Sequence, residues 1–517
     1  MARITTNSFR SILVHNFIDM IENENVYIMG SSTSKDSYDI SKSNRYSNNF
    51  LERVIFGKQI LSDDIRPMIT FIPWSSGTVY DQYDDTEELE NKNFYIISEP
   101  EGDGGDYHIF KCLFNNNGTP SITKPIFDQN LYEANLNYIF DSASDDGYIW
   151  KYMFSVSSAS VRKYQSGDLF PIERDQFVED SAKQSIDVIL VENIDDNSGY
   201  EKIEGSFVDI ISPEENIDRF IIRTEQYFNP VRGFYVDRVI FVQKDQSSTD
   251  IGARQYKITD SGENEEGDLY IDVIDYNSGD FEISTSNDTF TILPRVEIEG
   301  AGTGAEALAI VEGDSIVKIK MLTSGEGFYN ATASIKGFEL DANNINEAIL
   351  RPVISPREGH GSNPSRELYS NKICISKIIF DNIEDIVPST NTYTRLGIVK
   401  TPEFTDQVIS FDNRLYLELE TITGLDVGQE VTQQNGFKAI IHEVGMNGVY
   451  LVDYVNILTD AIEINEPIMT EIGDLEINNV EYSLYQQRTG NVLYITQFEP
   501  FDRFENSSEQ IKIIIDF

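Results

Sequence analysis

What most restricts the fold of this chain is a period-two pattern carried in short runs. β-Branched and aromatic residues recur in stretches such as Asn93-Phe94-Tyr95-Ile96-Ile97, Phe207-Val208-Asp209-Ile210-Ile211, Asp237-Arg238-Val239-Ile240-Phe241-Val242 and Leu269-Tyr270-Ile271-Asp272-Val273-Ile274. Asn, Asp, Gly and Ser separate these runs, the punctuation of strands joined by turns. The same alternation puts Ile511, Ile513, Ile515 and Phe517 on one face, so Ile511–Phe517 is expected as a strand inside a sheet rather than a frayed tail. The helix–strand alternation of a parallel α/β fold is not visible. The expected class is mainly β: a multi-domain antiparallel β-sandwich and small-barrel architecture with a few short helices near the N-terminus.

Helical spacing is concentrated at the start. Phe9, Ile12, Leu13, Phe17, Ile18 and Ile21 recur every three to four residues after Thr5-Thr6-Asn7, which can cap a first turn. Phe50, Leu51, Val54, Ile55, Ile60 and Leu61 form a second, weaker helical stripe, interrupted by Gly57. At roughly 100–200 residues per domain, 517 residues suggest several domains. The expected divisions are a core of helices and strands over 1–180, a β-rich region over 181–295 and a small Gly-rich β module over 296–350. A return to the core follows over 351–405, entered through a flexible Pro/Gly/Ser-rich joint at 351–366. A second small β module spans 406–480, and closing strands span 481–517.

Charge decides the expected partners. Asp plus Glu number 87 against 40 Lys plus Arg, a net charge of −47. Nucleic-acid affinity is supplied largely by Lys and Arg, so no nucleic-acid partner is expected. Disorder is not implied, because 40% hydrophobic and 11% aromatic residues suffice for large cores. No apolar run approaches the ~20 residues of a membrane span, and Met1-Ala2-Arg3-Ile4 lacks the features of a signal peptide. The expectation is no membrane partner and synthesis in a reducing cytoplasm. Two cysteines, Cys112 and Cys374, cannot make a disulfide framework, and four histidines, His15, His108, His360 and His442, argue against a His-based metal centre.

Three patterns invite a chemical reading. Gly300-Ala301-Gly302-Thr303-Gly304-Ala305 fits G-x-G-x-x-A, but a dinucleotide site needs a helix next. Ser315-Ile316-Val317-Lys318-Ile319-Lys320 alternates like a strand soon afterwards, so the glycines read as a structural turn. The acids Asp81, Asp84, Asp85, Glu87 and Glu88, and Asp141, Asp145 and Asp146, lack the EF-hand spacing and read as solvated turns rather than calcium sites. His360, in Gly359-His360-Gly361, has no nearby Cys and no G-x-S-x-G serine, so no catalytic role is assigned to it. The chain is expected to be non-enzymatic, with no cofactor, no metal and no small-molecule substrate.

Several segments resemble a known family. Pro73-Trp74-Ser75-Ser76-Gly77-Thr78-Val79-Tyr80-Asp81-Gln82-Tyr83-Asp84-Asp85 comes first. Phe110-Lys111-Cys112-Leu113-Phe114-Asn115-Asn116 and Asp146-Gly147-Tyr148-Ile149-Trp150-Lys151-Tyr152-Met153-Phe154 follow. Then come Ser355-Pro356-Arg357-Glu358-Gly359-His360-Gly361 with Glu367-Leu368, Thr394-Arg395-Leu396-Gly397-Ile398-Val399-Lys400, and Gly490-Asn491-Val492-Leu493-Tyr494-Ile495 through to Phe517. In this order they resemble the baseplate wedge protein family (gene product eight) of T-even-like contractile-tailed phages, over about half the chain, with β modules inserted between them. The resemblance implies a structural virion subunit of the tail baseplate, assembled in the host cytoplasm, that forms homodimers and packs on other wedge proteins. It also implies structural or interface roles for Trp74, Gly77, Tyr80, Tyr83, Asp84, Cys112, Asn116, Gly147, Tyr148, Trp150, Lys151, Gly359, His360, Gly361, Tyr494 and Phe517. The aromatics among them suit either a core or an interface, and Gly77, Gly147 and Gly359 suit turns with positive φ. The competing class is a receptor-binding or carbohydrate-active tail protein.

Overall fold

The computed structural model describes residues 6–31, 50–134 apart from 101 and 103, 139–142, 146–200, 202–214, 217–243, 255–275, 288–336, 346–380, 393–406, 408–456, 462–498 and 508–517. The chain divides into two compact units that it enters more than once. Unit 1 takes Met1–Thr70, Ser158–Ile172 and Leu368–Phe517, and unit 2 takes Phe71–Ser157 and Glu173–Glu367. Both are built mainly from antiparallel sheets, with few and short helices.

Unit 1 begins with the helix Asn7–Asn23, whose first turn is capped by the Thr6 hydroxyl accepting from the Phe9 amide. Val14 and Ile21 bury its apolar stripe in a core shared by two sheets. One sheet runs in the order Ser410–Asp412, Val54–Gln59, Val26–Ser31, Arg395–Lys400, Asn491–Gln497. The other runs Glu509–Asp516, Lys372–Phe380, Ile65–Thr70, Leu169–Pro171. The second helical stripe expected at residues 50–61 is corrected here: helix ends by Glu52, and Val54–Gln59 is a strand. Burial on both sides removes the alternation that marks a strand, leaving a solid apolar run that mimics a helix. Gly57 is no helix interruption; a Cβ there would lie 2.4 Å from Cε1 of Phe411, whose ring covers the strand.

Residues 415–481 of the same unit form a seven-stranded sheet with its own core of Leu417, Ile441, Val449, Leu451 and Ile468. The closing strand Glu509–Asp516 pairs with Lys372–Phe380, and Ile511, Ile513, Ile515 and Phe517 all pack on the first core, Phe517 edge-on to Phe17 at 5.7 Å. Removing Ile511–Phe517 strips four apolar side chains from that core and exposes an edge of Lys372–Phe380. We expect the truncated chain to be recovered as aggregate. A soluble truncation, with the circular dichroism and melting temperature of the full chain, would refute this.

Unit 2 holds a six-stranded closed barrel from Ile203–Glu214 to Thr289–Ile292, and a sheet in the order Ser315–Glu326, Thr303–Glu312, Arg295–Gly300, Ala331–Lys336. Gly300–Ala305 leads straight into the strand Thr303–Glu312, not into a helix. A Cβ on Gly302 would lie 2.5 Å from the Phe328 ring, so that glycine serves close packing. A further sheet runs Tyr95–Ser98, Tyr107–Phe114, Ile149–Val156, Ile139–Asp141. A two-stranded ribbon, Leu350–Ile354 with Ile186–Val191, supplies Val188, Leu190 and Val353 to a core shared with Leu113, Phe114, Ile139 and Ile149.

Candidate functional site

Two faces of the sheet built on Tyr107–Phe114 and Ile149–Val156 gather most of the family-like residues. One face is aromatic. Tyr80, Cys112, Tyr148, Trp150 and Tyr152 are buried there, with Trp74 packed alongside. Tyr148 stacks on Trp150 at 5.4 Å and Tyr80 meets it edge-on at 5.5 Å, both favoured aromatic arrangements. Trp150 Nε1 is buried without a hydrogen-bond partner, but the polar ends of the other rings are tied to nearby groups. The Tyr148 hydroxyl donates to the Thr119 carbonyl at 2.6 Å, the Ser75 amide to the Tyr80 hydroxyl at 2.7 Å, and the Trp74 indole to Ser121 Oγ at 3.1 Å. For Tyr80, Tyr148, Trp150 and Tyr152 the choice between core and interface is thus decided as core. Cys112 is a fully buried free thiol whose pKa is pushed well up by burial.

Asp146 organises the loop above this face. Its carboxylate accepts from the amides of Ile122, Thr123 and Tyr148 and from the Ser121 and Ser142 hydroxyls. Burial raises its pKa, but these donors prevail and hold it below the ordinary value. Asn116, itself at φ 48°, donates to the Asp146 carbonyl and covers Gly147, where a Cβ would lie 2.8 Å from the Asn116 side chain. Gly77, Gly147 and Gly359 all have positive φ, as their turns require. Asp84 receives both terminal nitrogens of Arg351, at 3.2 and 2.5 Å, and the Thr86 amide. The expectation of solvated turns is corrected for these two acids, since Asp84 and Asp146 are buried and paired; Asp145 lies outside the described residues, and among the described residues no group of three or more His, Cys, Asp or Glu is placed to hold a metal.

The opposite face carries two lysines. Lys111 and Lys151 are directly opposed in the ladder, and both are fully buried. Lys111 Nζ donates to Glu367 Oε2 at 3.1 Å and to His360 Nδ1 at 3.0 Å, and lies 4.0 Å from the centre of the Tyr83 ring. Its three donors therefore find a carboxylate, an imidazole and a π face. Because Nδ1 accepts, the histidine proton sits on Nε2, which faces Asp187 Oδ2 at 3.7 Å. Burial first, then the Lys111 charge, lowers the His360 pKa and keeps the ring neutral. Glu367 Oε1 accepts from the Gly361 amide at 2.8 Å, and Asp187 Oδ1 from the Ser185 hydroxyl at 3.1 Å. Burial pushes the Glu367 pKa up, but Lys111 and His360 prevail and bring it to about 2.

Lys151 differs: its Nζ has no hydrogen-bond partner, and burial lowers its pKa to about 8 against the attraction of Asp187, Glu367 and Asp175.

The joint expected as flexible at 351–366 is corrected by these contacts. Leu350–Ile354 is a strand, and His360 is only 4% exposed. Gly359 and Gly361 serve close approach: a Cβ on either would lie 2.3 Å from Lys183 N or from Val178 Cγ1. Lys111, Asp187 and Glu367 were not singled out from sequence. A lysine inside an apolar strand run, as in Ile109-Phe110-Lys111-Cys112-Leu113, is the signal that marks a buried cation. Tyr494 and Phe517 belong to unit 1 and take no part in this cluster.

No family model matches the chain, and no curated protein matches it in sequence. The cluster itself holds a proton-poor histidine, two acids and two amines, and among the described residues no serine or cysteine is hydrogen-bonded to the histidine ring. Its contacts lock five chain segments together.

Proposed function

We propose that the protein is a non-enzymatic structural subunit of a contractile-tail baseplate wedge, which scaffolds neighbouring wedge proteins and transmits their rearrangement on host attachment. One observation carries this reading. The segments that resemble the wedge family, far apart in sequence, meet as neighbours: Pro73–Asp85, Phe110–Asn116, Asp146–Phe154, Ser355–Gly361 and Glu367 around one sheet of unit 2, and Thr394–Lys400 beside Asn491–Gln497 in unit 1. Segments that serve packing converge in this way, and the buried network of Lys111, His360 and Glu367, in which the donors of Lys111 are engaged, favours one rigid arrangement over alternatives.

In this reading the subunit self-associates as a dimer within the virion tail baseplate, and the wedges close around the tail hub. Two copies carry 2 × (−47) = −94 charges, so the surfaces that join them must be poor in acids. Light scattering of the purified chain, followed by mixing with the other wedge proteins of the same tail, tests the proposal. A dimer that enters a larger assembly is the expected result. Specific binding or cleavage of host-surface glycans, with no co-assembly, would overturn it in favour of a receptor-binding or carbohydrate-active role.

A further inference from the structure

A cavity of about 430 Å³ lies within unit 2, inside the range of roughly 300–1,000 Å³ typical of ligand sites. Ile186–Val191 runs beside Ser315–Glu326, so these two strands make one continuous wall. Alternation sorts their side chains between two faces. Ile189 and Ile319 turn to one core, whereas Val188 turns to another with Phe114, Ile139 and Ile149. Lys318 and Lys320 flank Ile319 and so share the face opposite to it. Lys318 Nζ lies 5.6 Å from the centre of the Phe114 ring, which places that face toward Phe114. The cavity thus opens over a wall of two neighbouring strands, across from the sheet that carries Phe114, Ile139 and Ile149.

The charges in this space are unmatched. Both lysines line the cavity, Lys318 half-buried and Lys320 exposed, and neither has a carboxylate partner among the described residues. Acids outnumber bases 87 to 40 in this chain, so two adjacent cations left without an acid are unexpected by composition. The two acids of the lining are engaged elsewhere: Asp187 by Ser185 and beside His360, and Asp141 also has a partner. Ile139 and Ile149 are only partly buried, so apolar surface faces the same space. A cation beside an apolar wall is screened less than one on open surface, which strengthens its attraction for an anion.

We propose that this cavity binds a small amphiphilic anion, an organic acid with an apolar body. Its head is held by Lys318 and Lys320, and its body lies against Phe114, Ile139, Ile149 and Val188. Apolar walls with a few convergent polar groups are the usual composition of such sites. The site belongs to the isolated chain, so this proposal stands or falls apart from the assembly reading.

The test uses the full chain and isothermal titration calorimetry, with octanoate and its neutral analogue octanol as probes. Octanoate should bind saturably, at a single site, and at least about tenfold more tightly than octanol, because hydrogen bonds to charged groups exceed neutral ones by about that factor. Added salt should weaken the binding of octanoate and not that of octanol. A Lys318→Gln/Lys320→Gln variant, shown by circular dichroism to be folded, should lose the preference for octanoate. Absence of saturable binding at millimolar octanoate would overturn the proposal. So would equal affinity for the two probes, or a preference for octanoate that survives both added salt and the loss of the lysine charges.

Discussion

Glu367→Gln should destabilise unit 2 by about 3–5 kcal/mol, the usual cost of removing one partner from a buried ion pair. The side chains of Lys111 and Glu367 are 1% and 5% exposed, so solvent cannot replace the lost carboxylate. A glutamine oxygen can still accept from Lys111, but it brings no negative charge, and neutral His360 offers none. Acid titration supplies a second readout. The Glu367 pKa lies near 2 in the fold against an ordinary 4.5, so the unfolded chain takes up the proton first. The stabilisation is fully present above about pH 4.5 and is lost as pH falls toward 2. That interval corresponds to about 3 kcal/mol at roughly 1.4 kcal/mol per unit, in line with the mutational figure. Urea melts of both proteins between pH 2 and 7 decide the matter. Equal stability at pH 7 would mean that the ion pair contributes nothing net.

Lys151→Met should act in the opposite direction. Its amine is buried without a hydrogen-bond partner and faces Lys111 across the ladder. Its pKa of about 8, against an ordinary 10.5, means that the unfolded chain binds the extra proton through this interval. The penalty is therefore full below pH 8, and native stability should rise by about 3 kcal/mol as pH climbs to 10.5, at roughly 1.4 kcal/mol per unit. Methionine fills similar space without charge, and exchanging buried charge for apolar volume stabilises by about 1–4 kcal/mol. We expect the variant to be more stable than wild type at pH 7 and to lose this alkaline rise. A variant less stable at pH 7 would show that Lys151 is held by its acidic neighbours more strongly than burial opposes it.

These two lysines also show where the sequence stops being legible. Strand identity was readable wherever one face is wet, as at Ile511–Phe517, and the Thr6 cap was readable because it is local. Val54–Gln59 was not, because a strand buried on both faces carries no alternation. The charge cluster was least accessible. Lys111 meets His360 and Glu367 across 249 and 256 residues, and nothing near any of them marks the others. Glycines misled in one consistent way. Gly57 and Gly361 read as interruption or slackness, whereas each sits where a neighbour comes too close for a Cβ; Gly359, read as suited to a positive-φ turn, has φ 92°.

The interleaving of the two units sets a timetable for synthesis. Val26–Ser31 is the middle strand of its sheet, and one neighbour, Arg395–Lys400, is translated hundreds of residues after it. At roughly 5–20 residues per second, a ribosome leaves that inner edge without its neighbour for tens of seconds. Unit 2 has all its segments once Glu367 has emerged, while unit 1 waits for the strand Glu509–Asp516. The nascent chain therefore carries a bare apolar edge while half of the molecule is already complete, and chaperone capacity during translation becomes a determinant of yield.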